Sequence, residues 1–416
     1  MSYGLAKSGI AFYQKFIFSV TKTAKQLFVL SLIIKLLLLP WFYHPDIKSQ
    51  YFHFQYLSRG VTNIYQYIDQ NKTNLPYQDT FNYLPLTYFT FGTYSAIVQK
   101  IAPPNFSTWI NDWSDHQNNY ANLPVFLFLL KLPYLFLDTL IGLLIYRLYP
   151  KKNYYLLWLF NPLVFYLIYV LQNFDILPVF FTFLAFYLLK RQRPSLSFFI
   201  FGLSIALKFY SLLLLPFFLI STRSNFSKLI KYSFISLIPL LFSVLPFIND
   251  SSFIRSFIGS GLTQKIIEFK LFSIPVFPII YILYFLYSWR YSPSTIFKNI
   301  TFIFLLFVCL VNFHSQWLLW FYPFYLLAFA SSPKKLLLGH LLFLPLLLRV
   351  LLIDDNYLTW GHLIPIDPLF VKVTSPYNLI RYRLMQDPLK FQIIFQYLTF
   401  LTSFIIFFAH EKNNRH

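Results

Sequence analysis

Long apolar runs constrain this chain more than any other feature. Leu27 to Phe42 and Leu123 to Tyr149 are the clearest of them, and crossing the hydrocarbon layer takes about 20 predominantly apolar residues. With 57% of 416 residues hydrophobic and 12% charged, too little polar surface remains to cover a soluble globule. The expected fold is all-α: a polytopic membrane protein of about 10 to 13 transmembrane helices, some short or broken, with a long first external loop. Pro178, Pro216, Pro239, Pro246 and Pro323 are expected to supply the breaks.

The 34 basic and 14 acidic residues give a net charge of +20. A nucleic-acid partner would need the basic residues in one water-facing patch, yet they are scattered in short loops. Such scatter sets membrane orientation and attracts anionic lipid. Lys151-Lys152, Lys190 to Arg193, Arg223 to Lys231, Arg290 to Lys298, Lys334-Lys335 and a tail at 410–416 then face the cytoplasm. Residues 1–26, with Lys7, Lys15, Lys22 and Lys25 among apolar positions at helical spacing, read as a cytoplasmic amphipathic helix. Residues 27–409 read as a single transmembrane domain whose external loop covers 43–122. No cleavage pattern follows the first apolar run, which is expected to remain as a span. Within the loop, Tyr83 to Ile101 reads as interfacial or re-entrant. The lone cysteine, Cys309, lies in an apolar run and excludes a disulfide framework or a thiolate metal cluster.

Acids are so scarce that one beside an apolar run asks for a reason. Asp46 follows the first run in Trp41-Phe42-Tyr43-His44-Pro45-Asp46, where a helix meets water beside a rigid proline, and it is the candidate catalytic base. Lys131 and Asp138 share a helix face about 10 Å apart. They are too far apart to pair, so each must reach other polar groups inside the protein. Asn173 and Asp175 form a polar turn. Lys208 lies in a mostly apolar stretch and needs an anion, either a phosphate or a carboxylate such as Asp175. Gln316 falls on the same side with Trp317 and Trp320, although an interfacial belt is the commoner use of such tryptophans.

One external carboxylate with one buried cation selects a chemistry. Cleaving an ordinary glycoside takes two carboxyl groups, because the departing alkoxide must be protonated. A glycosyl phosphate departs as a stable anion, so one cation for the phosphate and one base for the acceptor hydroxyl suffice.

Asp46 is followed by Tyr83-Leu84-Pro85-Leu86, by Lys131 with Asp138 leading to Leu144-Ile145-Tyr146-Arg147-Leu148, and by Asn161-Pro162-Leu163. Asn173-Phe174-Asp175, Lys208-Phe209-Tyr210 and Ser315-Gln316-Trp317-Leu318-Leu319-Trp320 come next. This order resembles the C-type glycosyltransferase superfamily, most closely the catalytic subunits of glycosylphosphatidylinositol mannosyltransferase I and their prokaryotic relatives. The resemblance implies an inverting membrane enzyme that moves a sugar, often mannose, from a polyprenyl- or dolichyl-phosphate donor to a lipid or glycan acceptor. Asp46 would be the base. Lys208, Asn173, Asp175, Gln316, Tyr83 and Tyr210 are the candidate donor residues, and Trp317, Trp320 and His44 the candidate acceptor residues. The implied partners are the donor, the acceptor and membrane lipid, with no nucleic acid. The location is the plasma membrane of a prokaryote or the endoplasmic reticulum of a eukaryote, with the site on the extracytoplasmic face and both termini cytoplasmic. Two positions depart from the family. Its Asp-x-Asp has Lys48 in second place here, so no metal site and no cofactor are expected through that motif, and the aromatic-proline after the family lysine is Tyr210-Ser211.

A transporter or flippase for a lipid-linked saccharide is the alternative. It would show inverted repeats and charges near the midplane, and no repeat is visible. An acyltransferase would need a histidine base, for which His44 or His314 would serve.

Overall fold

The computed structural model describes residues 21–172, 174–222, 224–258, 270–271, 274–291, 296–311, 314–330, 336–337, 340, 344–345 and 348–412, without the side chains of 258, 270–271, 291 and 402–412. Regular structure among them is all helical apart from one short hairpin pairing Lys270–Leu271 with Ile274–Pro275.

Helix α1, Lys22–Leu38, starts where the Thr21 hydroxyl accepts the Ala24 N–H at 3.3 Å, then tightens into a 3₁₀ turn at Leu39–Trp41. Lys22 and Lys25 therefore belong to the same helix as the first apolar run, so no boundary falls at residue 26. Residues 1–20 of the expected amphipathic helix lie outside the described residues.

Four helices lie within residues 43–122: α2 (Pro45–Phe54), α3 (Ile64–Asn71), α4 (Pro85–Ile101) and α5 (Phe106–Asn111). The Tyr83 to Ile101 stretch thus forms a 17-residue helix. Its Tyr88, Phe91 and Val98 are buried, and it packs on α2.

Helix α6, Leu123–Leu148, runs for 26 residues, about 39 Å at 1.5 Å per residue. Lys131 and Asp138 are both fully buried on it and, as their spacing requires, find separate partners. The Lys131 ammonium donates to the carbonyls of Leu39 and Phe42 at 2.6 Å each and of Tyr169 at 3.1 Å. Two of these lie just past the end of α1, where the helix dipole is negative. Asp138 accepts from Lys35 of α1 at 2.6 Å and from the Tyr169 hydroxyl at 2.5 Å. A buried charge is tolerated only with such partners.

The chain then bends by 44° at Asn161-Pro162, where the Asn161 side chain caps the next short helix through the Leu163 and Val164 N–H groups. Helices α7 (Ile176–Lys190), α8 (Pro194–Leu207) and α9 (Phe226–Val244) follow, with α8 packed against both of its neighbours. After α10 (Ser251–Ile258) come α11 (Val276–Tyr291), α12 (Ile296–Leu310), α13 (Tyr322–Phe329) and α14 (Pro388–Lys412).

Pro178, Pro216 and Pro323 each lie in the first turn of a helix and Pro246 in a 3₁₀ turn, so four of the five expected breaks fall at element boundaries. Pro239 does not break α9. Its ring and the Ser236 carbonyl instead close on Gly202 of α8, where a Cβ would collide with both. Three helical stretches among the described residues are long and apolar enough to cross a membrane, Lys22–Trp41, Leu123–Leu148 and Phe226–Phe247, and the bent pair around residue 161 would make a fourth. Ile176–Lys190, Pro194–Leu207, Phe209–Ile220, Val276–Arg290 and Ile296–Leu310 are apolar but shorter, below the length of a straight span. Among the described residues, full-length spans thus number three or four beside five shorter apolar helices; the expected ten to thirteen included short and broken ones.

Candidate active site

Asp46 is the second residue of α2. Pro45 occupies the first helical position, where a missing N–H leaves nothing unsatisfied, and the His44 imidazole accepts the Asp46 backbone N–H through Nδ1 at 3.2 Å. Fixed in this way, the Asp46 side chain keeps 37% exposure. Gln316, on the 3₁₀ turn Ser315–Trp320, donates to Asp46 Oδ2 at 2.9 Å, and His44 Nδ1 lies 3.4 Å from Oδ1.

Lys208 sits where α8 ends. Its backbone turns extended (φ −149°, ψ 119°), and Thr87 of α4 takes the carbonyl of Leu207 at 2.6 Å. Buried hydroxyls stitch this end in place: Ser204 bonds to Thr182 and Ser211 at 2.8 Å each and donates to the Pro178 carbonyl at 2.7 Å. The Lys208 ammonium forms an ion pair with Asp175 Oδ1, while Trp320 Nε1 donates to Asp175 Oδ2 at 2.6 Å. Of the two anions that sequence left open for Lys208, the internal carboxylate is in place. Asp175 is fully buried and Lys208 retains 19% exposure, so only the cation of the pair reaches solvent.

His44, Tyr83, Lys208, Tyr210, Gln316, Trp317 and Trp320 share with Asp46 one cavity of about 1510 Å³. A typical small-molecule pocket holds about 300 to 1,000 Å³, so there is room for two reactants. Tyr210 stacks on Trp320 at 3.6 Å and Trp317 stacks on Trp320 at 4.7 Å, making an aromatic floor. Trp320 is 1% exposed and serves as packing, not as a lipid-facing belt. His44 is 5% exposed, and its observed role is to cap α2. Burial raises the Tyr83 pKa, helped by the negative charges of Asp46 and Asp175, so this phenol keeps its proton. Asn173 lies outside the described residues.

Lys48 points away from the cavity. Two helical positions rotate a side chain by about 200°, and its ammonium donates instead to the Asp112 carbonyl and to Gln117. Among the described residues no three His, Cys, Asp or Glu side chains converge as metal ligands.

Sequence reading passed over another part of the wall. Arg349, Asp354, Asp355, Tyr377, Arg381 and Asp387 line it, all from the last 70 residues. Four of the chain's 14 acids thus face one cavity, Asp46 included. That scarcity was the usable signal, since charges in so apolar a chain concentrate where water or a polar ligand meets them. Asp355 and Asp387 also cap helices through the Tyr357 and Leu389 N–H groups.

No family model, curated protein or solved structure matches this chain.

Proposed function

We propose that the chain is a polytopic membrane glycosyltransferase that moves a sugar, with inversion, from a polyprenyl phosphate to a hydroxyl of a lipid or glycan acceptor. The convergence of Asp46, Lys208, Gln316 and the aromatic floor on one cavity carries this reading. Asp46 takes the proton of the acceptor hydroxyl as its oxygen attacks the anomeric carbon. The bond from that carbon to the phosphate oxygen breaks, and the prenyl phosphate departs with the electron pair. No acid is needed at the leaving group. Gln316 holds one carboxylate oxygen and aims the other. Lys208, anchored by Asp175, keeps ammonium N–H groups for the phosphate.

Supplying the purified protein with a panel of prenyl-phosphate sugars tests the reading. One donor is consumed, and Asp46→Asn lowers transfer by about 10² to 10⁴, the usual weight of a general base, without unfolding the protein. Undiminished turnover in that variant removes Asp46 from the mechanism. A transporter would need the buried Lys35–Asp138 pair to face a pathway, but its side chains are 5% and 0% exposed.

A further inference from the structure

Lys48 follows Asp46 by two residues on α2, and its surroundings are more elaborate than a structural lysine needs. The side chain is fully buried. Its ammonium donates to the Asp112 backbone carbonyl and to Gln117 Oε1 at 3.1 Å, and lies 4.7 Å from the ring centre of Trp113 and 5.2 Å from that of Trp109. The box is braced from behind: Trp113 stacks on Tyr77 at 4.0 Å, while the Asp112 carboxylate is held by the hydroxyls of Ser114 at 2.6 Å and Tyr120 at 3.0 Å.

A charge taken out of water in this way is a poor stabiliser. Desolvation lowers the Lys48 pKa to about 7, against the opposing pull of Asp112. An apolar side chain of the same length would fill the box without that penalty. It would also lose direction, because indole faces hold a methyl group equally well at many angles, whereas an ammonium must meet a carbonyl, an amide and two π faces together. Fixing one register at the expense of stability is the best-attested use of a buried polar group. Asp46 and Lys48 lie on opposite sides of one helix, so the roll that seats Lys48 also decides where Asp46 points.

We propose that Lys48 is a positioning residue that fixes the roll of α2 and thereby presents Asp46 to the cavity. The proposal rests on the reading of Asp46 as the base, and two measurements separate the two. In Lys48→Met, kcat with a prenyl-phosphate sugar falls about tenfold, equivalent to about 1.4 kcal/mol, while donor KM is unchanged and the melting temperature is unchanged or raised. Lys48→Arg, which keeps a cation between the indoles, restores most of the rate. The second measurement needs no turnover: Asp46→Cys is labelled with a charged thiol reagent, the native Cys309 being buried and silent. The introduced thiol reacts in one phase, and adding Lys48→Met splits the reaction into two.

A single unchanged phase, or a Lys48→Met protein with undiminished kcat, overturns the proposal. Parallel loss of kcat and melting temperature does so as well, since that marks an ordinary stabilising contact. A wild type that consumes no donor overturns the reading of Asp46 as base, and the labelling arm then still decides whether Lys48 fixes the roll.

Discussion

Asp46 and Asp175 both accept a hydrogen bond from a side-chain N–H of the same 3₁₀ turn, and exposure separates their roles. Asp46 is 37% exposed and open to a reactant, whereas Asp175 is sealed behind Lys208. Removing the cation of a buried pair is costly because the carboxylate stays behind in a low dielectric. Lys208→Ala should therefore lower unfolding stability by about 3 kcal/mol as well as weaken donor binding. Pairing Lys208→Met with Asp175→Leu should recover the stability but not the donor affinity; denaturant melts and donor titrations of the same samples separate the two effects. A pH response follows from His53, buried on α2 with Nε2 donating to the Asp79 carbonyl at 3.2 Å. Burial lowers its pKa from 6.5 to about 4, so between those values the unfolded chain holds a proton that the folded one refuses. The His53 contribution is complete above pH 6.5 and declines as pH falls towards 4, by about 3 kcal/mol in total. Melting temperatures across that range should show the decline, and His53→Gln should flatten it.

At the scale of elements, local chemistry announced most helix starts. Thr21 and Asn225 cap α1 and α9, Asn161 caps the turn after the bend, and prolines open α2, α4, α6 and α8, as side-chain oxygens and fixed φ angles dictate. Pro133 and Pro239 instead lie inside α6 and α9, and for Pro239 the reason is tertiary. Gly202 leaves a gap in α8 that its ring occupies, so contact across the α8–α9 interface offsets the lost hydrogen bond. Gly202→Ala would push a Cβ into the Ser236 carbonyl, and overpacking of this kind typically costs about 1 to 3 kcal/mol. A lowered melting temperature with Asp46 chemistry intact is the expected outcome, and an unchanged one would mean that α8 and α9 can separate without loss.

Across the whole molecule, the cavity gathers segments that share nothing in sequence. Its near wall, with Asp46, Lys208, Gln316 and the two tryptophans, was legible because those residues sit at the ends of apolar runs, where polar side chains are conspicuous. The lining from Arg349 to Asp387 was not, since a stretch of short 3₁₀, α and π turns has no periodicity to read. Sequence alone determined that the chain is helical and apolar, that Asp46 stands just past the first apolar run, and that each buried charge must find a partner. Those conclusions follow from side-chain transfer energies and helical spacing, which are properties of a residue and its near neighbours. Which partner each charge takes was decided by the tertiary structure alone. Lys35 meets Asp138 across 103 residues and Gln316 meets Asp46 across 270, and desolvation penalises any unpaired charge equally without saying which distant segment will answer it.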